Sequence, residues 1–250
     1  MKTHLIALFL ALAFSAISGA QTAAEWLVKA EASEKKGDSR AALAAYQEAD
    51  RLNPDRAATL VKIAKQYGDL MTETKDAGER KKLGFQSLFY SQKAFSADDG
   101  SADAHLSVAI SLGKLAEFMG NKEKIGKSRE IKMHADRALR LDPDSDYAHH
   151  MLGRWHQELA GMGGATRALA KIIYGGLPSA SFQEALDHFA KARGLRPDRL
   201  IHHIEYGRTL AMMGRKDDAR TELKMSLAKP SRDKDDAKAK ERGQRTLDDL

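Results

Sequence analysis

Residues 42–54, ALAAYQEADRLNP, and residues 185–197, ALDHFAKARGLRP, carry the same marks at the same spacing: Ala42, Tyr46, Ala49 and Pro54 in one, Ala185, Phe189, Ala192 and Pro197 in the other. Two small residues flanking a large one, three and four apart, lie on one helix face. The small ones let a neighbouring helix approach, the large one fills the adjacent gap, and proline ends the helix because it cannot continue the hydrogen-bond ladder. The spacing recurs, with departures, as Ile131, Ala135, Ala138 and Pro143, and as Ser87, Ser91, Ala94 and Asp99. A fifth copy reads Ala219, Leu223 and Ser226, with Pro230 one residue early.

A second pattern follows each terminating position, at offsets of 6, 9, 10 and 13 residues. It reads Leu60, Ile63, Ala64 and Tyr67, then His105, Val108, Ala109 and Leu112. The later copies are His149, Leu152, Gly153 and His156, and His203, Tyr206, Gly207 and Leu210. These offsets trace one face of a second helix, with Ala or Gly at the closest approach. Gly37 and Gly214 stand where a tight turn joins the two helices of a pair.

These marks match the tetratricopeptide repeat, a helix–turn–helix unit of about 34 residues. The chain is therefore expected to be all-α, a tetratricopeptide-like right-handed solenoid of about five helix pairs with a C-terminal capping helix. The repeats fall near residues 23–56, 57–101, 102–145, 146–199 and 200–233 of an array spanning 21–233, and residues 234–250 form the cap. Ala237, Leu247 and Leu250 are the cap's expected apolar positions.

The middle repeats are longer than the unit. The charged stretches Glu73–Lys82 and Asn121–Arg129 read as helix extensions and turns. The largest insertion, Gly161–Ala180, contains Ala165–Tyr174, a short amphipathic helix with Leu169, Ile172 and Ile173 on Ala165's face. Ser181 and Glu184 form a capping box that restarts the helix carrying Phe189. Ahead of the array, Lys2, an uncharged run from Leu5 to Ile17, and Ser18-Gly19-Ala20 read as a cleaved secretory signal over residues 1–20. The run is shorter than the roughly 20 residues that cross a bilayer. Export, to a bacterial periplasm, is the expected destination, with an uncleaved N-terminal membrane anchor as the alternative.

The order of features from residue 85 to 250 resembles the regulator of microtubule dynamics family. His149 with Leu152-Gly153-x-Trp155, the insertion ending Leu177-Pro178-Ser179, and the following Phe189 and Pro197 carry the likeness. Animal members are associated with microtubules, mitochondria or organelle contacts, and the resemblance implies a repeat architecture and an adaptor role without catalysis.

Composition agrees with a helical binding protein. Cys is absent, which excludes disulfides, thiolate metal sites and a cysteine nucleophile. The net charge of +6 is diffuse, not a nucleic-acid footprint. His105, His149 and His203 recur at one register position, and helices about 8–10 Å apart keep such side chains from meeting at one ion. They are expected to be packing histidines, so no metal, cofactor or catalytic residue is assigned. The glycines of Gly161–Thr166 follow no strand and precede no Lys-Ser/Thr pair, so they make no phosphate loop.

The face of each first helix opposite its packed side should line the concave groove. In the later repeats it presents Tyr147, His150, Arg154 and Gln157, then Ile201, Ile204 and Arg208; Lys65 stands in the same row as Arg154 and Arg208. These eight residues are the expected partner groove, the three bases holding an acidic protein or peptide through its carboxylates. The expected function is an exported, non-catalytic adaptor. Its alternative is a membrane-surface factor using residues 165–174. Oligomeric state is not legible.

Overall fold

The computed structural model describes residues 21–176 and 179–250; the expected signal, residues 1–20, lies outside the described residues. In chain order the helices are α1 (Ala23–Lys35), α2 (Ser39–Leu52), α3 (Ala57–Glu73), α4 (Ala77–Ala97), α5 (Ala102–Leu115), α6 (Asn121–Leu141), α7 (Asp146–Ala160), α8 (Gly164–Tyr174), α9 (Phe182–Leu195), α10 (Leu200–Met212), α11 (Lys216–Leu227) and α12 (Asp236–Asp248). A 3-10 turn, Ala116–Phe118, follows α5. Among the described residues there is no strand.

Five antiparallel pairs, α1/α2, α3/α4, α5/α6, α7/α9 and α10/α11, stack side by side, each second helix packing on the next first helix. The result is a helical solenoid. The recurring small residues sit where they bring helices together: Ala30, Ala42, Ala94, Ala104, Ala109, Ala135, Ala138, Ala185, Ala192 and Ala219 have no exposed surface. Tyr46 and Phe189 fill the gaps, both fully buried. Gly153 shows how tight this register is. A Cβ there would lie 2.7 Å from the Phe189 ring, and one on Gly207 would lie 2.9 Å from Leu223, the residue equivalent to Phe189 one repeat later.

The turns expected at Gly37 and Gly214 are present, with φ of 74° and 77°, a conformation that L side chains adopt only with strain. Thr22 caps α1 in a complete capping box with Glu25. Ser181 caps α9 by accepting from the Glu184 amide, but its hydroxyl, not its backbone N–H, is what meets the Glu184 carboxylate, at 2.9 Å.

The insertions extend helices. α4 and α6 each run 21 residues, beyond the usual second helix of the unit. α8 is the short helix expected in Gly161–Ala180; it buries Ala170 and leaves Ile172 82% exposed. Arg167 folds back to donate to the carbonyls of Leu159, Ala160 and Met162, fastening α8 to the end of α7. The side chains of Leu169 and Ile173 lie outside the described residues. No described helix is long and apolar enough to cross a membrane.

The cap differs from its expected pattern. Ala237 is exposed, whereas Ala239 and Gly243 are the positions that meet α10. A Cβ on Gly243 would fall 2.8 Å from Ile204. Leu247 and Leu250 do pack, half-buried, against the cluster of Leu200, Ile201, Ile204 and Leu223. α12 packs on both α10 and α11, and small residues, which carry no periodic hydrophobic signal, set its seat.

Candidate functional site

The row of bases gathers on an acid that sequence spacing did not single out. Glu205, on α10, is fully buried. Its Oε1 accepts from Arg154 Nη1 at 2.9 Å and from Arg242 Nε and Nη2 at 3.1 and 2.9 Å; its Oε2 accepts from Arg208 Nη1 at 2.5 Å. Burial opposes its ionised form, but Arg154, Arg208 and Arg242 together outweigh burial and hold the carboxyl far below the usual range. Arg154 also reaches Glu158 at 2.7 Å, and Arg208 Nε donates to Thr246 at 3.4 Å. Three guanidinium groups on one carboxylate tie α7, α10 and α12 together.

The other expected groove residues divide between this core and the open face. His150 and Gln157 are buried; Gln157 donates to the Glu205 carbonyl at 3.3 Å and to Thr209 at 2.9 Å. Ile204 is buried against Gly243, and Ile201 is buried beside it. Tyr147 lies under the Arg199 guanidinium, 4.2 Å from ring centre, and burial drives its hydroxyl pKa upward. Lys65 is half-exposed, bonded to Asp69 at 2.7 Å and Glu34 at 3.0 Å. The groove is therefore lined by cations that already have partners within the chain. Around them Val61, Leu106 and Ile110 remain half-buried.

A segment that sequence reading placed at the edge of the cap crosses this face. Between α11 and α12, Arg232 pairs with Asp198 at 3.4 Å and Asp233 with Arg199 at 3.2 Å. Lys234 reaches the Gly37 carbonyl and Glu73, both at 2.5 Å. Asp235 accepts from Lys114 through both oxygens at 2.9 Å and from Thr72 at 2.9 Å. Lys114 also donates to Thr72 and to the Gly68 carbonyl. Residues near 234 thus touch the first and second helix pairs, across nearly the whole sequence. Lys114 stands one turn beyond Ile110 on the same face of α5, a placement the sequence contains; the link to Asp235 has no counterpart in local spacing.

The histidines form a repeated device. The Nε2–H of His105, His149 and His203 points at the carbonyls of Asp99, Pro143 and Pro197, at 3.0, 3.3 and 3.0 Å. A carbonyl only accepts, so each Nε2 carries a proton, and in His105 and His149 Nδ1 is left as an acceptor. His134 Nδ1–H then donates to His105 at 2.9 Å, and His188 Nδ1–H donates to His149 at 3.0 Å. In the last pair the direction reverses: the Glu222 carboxylate takes the partner's place and accepts from His203 Nδ1 at 3.3 Å. His134, His188 and Glu222 stand nine residues before Pro143, Pro197 and Ser231, so the pairing was visible as a register position in the second helices. A further pair joins α7 to α10: His202 Nε2–H donates to Asp146 at 2.8 Å, and His150 Nδ1–H donates to His202 Nδ1 at 3.0 Å. Burial, reinforced by the neighbouring imidazoles, pulls His188 down to about 4 and lowers His134 and His150 as well. Among the described residues no group of three His, Cys, Asp or Glu side chains could hold a metal ion.

Stacked helix pairs with an open inner face define a tetratricopeptide-type helical solenoid. Solved structures agree on the fold: a thermophilic TPR protein of Thermus thermophilus superposes with a TM-score of 0.66 at 15% identity, covering 90% of this chain and 99% of that one. The Cut9–Hcn1 hetero-tetramer of the APC/C contains a chain matching with a TM-score of 0.63 at 16% identity, over 90% of this chain and 36% of that one. The chain belongs to the family described as Regulator of microtubule dynamics protein 1-3, whose model matches residues 22–250. It is 32% identical over 138 residues to Regulator of microtubule dynamics protein 3 of Xenopus laevis, covering 55% of this chain and 30% of that protein. It is 29% identical over 157 residues to Regulator of microtubule dynamics protein 1 of Mus musculus, covering 62% and 50%. The chain thus spans half or less of the length of these curated relatives.

Proposed function

We propose that this protein is a non-catalytic, exported adaptor that holds a segment of a partner protein on its concave face. The observation that carries the reading is that face itself: half-buried Val61, Leu106 and Ile110 beside the cations Lys65 and Lys114, on a scaffold of paired helices. Apolar side chains left half-covered between charges offer a partner both burial and orientation. Export rests on residues 1–20, and its destination in this reading is the bacterial periplasm. A photo-crosslinking amino acid at Ile110, compared with one at Phe89 on a second helix, tests the site in the native cell. Discrete adducts from Ile110 and not from Phe89 are expected; none at Ile110, or the same adducts at both, would reject it. Edman or mass-spectrometric mapping of the mature N-terminus tests export, which predicts a start at residue 21.

One observation favours a second reading. α8 presents Ile172 almost fully to solvent beside Lys171, the chemistry of a helix that rests on lipid headgroups. Liposome flotation of the mature protein and of Ile172→Glu separates the two: membrane recovery lost in the variant supports lipid contact, and no recovery of either protein removes it.

A further inference from the structure

The segment crossing the groove has the features of a bound ligand. Residues 229–235 are not helical, and Pro230 is their only apolar member. Arg232, Asp233, Lys234 and Asp235 are held to the rest of the molecule by ion pairs and hydrogen bonds alone. The outer pairs, Arg232–Asp198 and Lys234–Glu73, contribute about 0–1 kcal/mol each. A competing segment's carboxylates can replace those of Asp233 and Asp235 without leaving the sheltered Arg199 and Lys114 unpaired. α12, by contrast, has its own anchorage in Ala239, Gly243 and the Arg242–Glu205 bonds. The strap can therefore leave its seat while α12 stays docked.

We infer that Lys114, Thr72 and Arg199 form a subsite for a peptide segment with two carboxylates at alternate positions, that residues 232–235 are its internal occupant, and that a partner's segment enters by displacing them. The inference rests on the concave face being the binding face. The seat specifies the partner's chemistry. Two carboxylates two residues apart, Asp233 and Asp235, reach two cations on different helices, while Lys234 between them points to Gly37 and Glu73. The strap presents both carboxylates from a turn, closed by the Asp236 N–H on the Asp233 carbonyl at 3.1 Å, and a partner segment with Asp or Glu at alternate positions of a similar turn presents the same pair. Lys114 is mostly buried, and both Asp235 oxygens, Thr72 and the Gly68 carbonyl surround it, so a replacement carboxylate finds a preformed acceptor position. Asp69 lies in the same field and Lys238 faces Arg80, Glu117 and Asp235, so the subsite accepts carboxylates without excess positive charge. Because the strap is tethered, it competes at an effective concentration on the order of millimolar, which keeps single weak acids out.

The test uses the full mature chain and a fluorescein-labelled peptide of residues 229–236, with a control peptide carrying Asn for every Asp. Asp233→Asn combined with Asp235→Asn is expected to bind the Asp-bearing peptide at least tenfold more tightly than the wild-type protein. Adding Lys114→Ala should abolish that gain, and the Asn peptide should not bind either protein. Equal affinity of wild-type and double-variant protein, or a gain that survives Lys114→Ala, overturns the inference. A readout that leaves the strap's acids intact guards against misfolding: since the chain has no cysteine, nitroxide labels at Lys36→Cys and Ser231→Cys report the strap's distance from the first turn. Saturating Asp-bearing peptide is expected to lengthen that distance, and an unchanged distance overturns the inference. A strap that opens without binding peptide refutes this subsite alone; the wider adaptor reading stands or falls on crosslinking at Ile110.

Discussion

Mild acid should loosen this protein through its paired histidines, and His188 allows the size of the effect to be worked out. Its imidazole is held near 4, chiefly by burial and then by His149 and His156, against about 6.5 in an unfolded chain. A group with a depressed folded pKa binds fewer protons in the native state, so its contribution is present above pH 6.5 and is lost as pH falls towards 4. From pH 6.5 to 5.0 the unfolded chain takes up a proton that the native pair refuses. At about 1.4 kcal/mol per unit the bound is about 2 kcal/mol, and partial exposure of the ring reduces it to about 1 kcal/mol. His149 and His188 share the titration as a pair, so the effect belongs to both. The buried carboxylates with lowered pKa, Glu205 among them, begin to act only below about 4.5, which leaves this window to the histidines. Asp69, raised by burial, works in the opposite sense in the lower part of the range. His188→Asn keeps a donor close to the Nδ1 position and cannot titrate. Urea unfolding at pH 7.5 and 5.0, followed by circular dichroism at fixed ionic strength, should show the wild type losing about 1 kcal/mol more than His188→Asn on acidification. Identical losses, or a wild type equally stable at both pH values, would refute the reasoning.

Other outcomes follow from the same geometry. Gly153→Ala, although it favours helix locally, drives a methyl into the Phe189 ring and should cost about 1–3 kcal/mol, with recovery in the double variant carrying Phe189→Leu; urea midpoints measure both. Glu205→Gln leaves three guanidinium groups without their shared carboxylate and should cost about 3–5 kcal/mol, with hydrogen exchange across residues 236–248 speeding as α12 loosens. That variant should also lose the part of the wild-type acid transition below pH 4.5 that arises as Glu205 protonates. Ala42→Leu, at a site with no exposed surface, should destabilise by about 1–3 kcal/mol through overpacking, whereas Ala237→Leu on the exposed side of α12 should stay within about 0.5 kcal/mol.

The repeat register was legible because its physical cause is local: Ala42, Ala185 and Gly153 mark close approach wherever they stand, and Pro54, Pro143 and Pro197 mark helix ends. The lengthened α4 and α6 were readable for the same reason. The groove row led to Arg154 and Arg208 but not to what they hold, because Glu205 sits among apolar and histidine neighbours on α10 and meets Arg242 from a distant helix. The seat of α12 was misread through Ala237, since Ala239 and Gly243 fit by smallness and leave little hydrophobic periodicity. The histidine pairs repeat at fixed positions, yet only the first-helix members were aligned; His134, His188 and Glu222 share a register that the second-helix pattern already contained. The ties from Lys234 and Asp235 to Gly37 and Lys114 join residues too far apart for spacing to reveal.

The tie from Lys234 to Gly37 also bears on how the chain matures. In an open array each unit leans only on its neighbours, so either end can unravel while the middle survives. Here the opening turn is fastened by a side chain 197 residues further along, and that bond can form only after the intervening layers have stacked in register. An incomplete or misaligned array would leave both extremities loose and open to proteases, whereas a finished one locks its two ends in a single event.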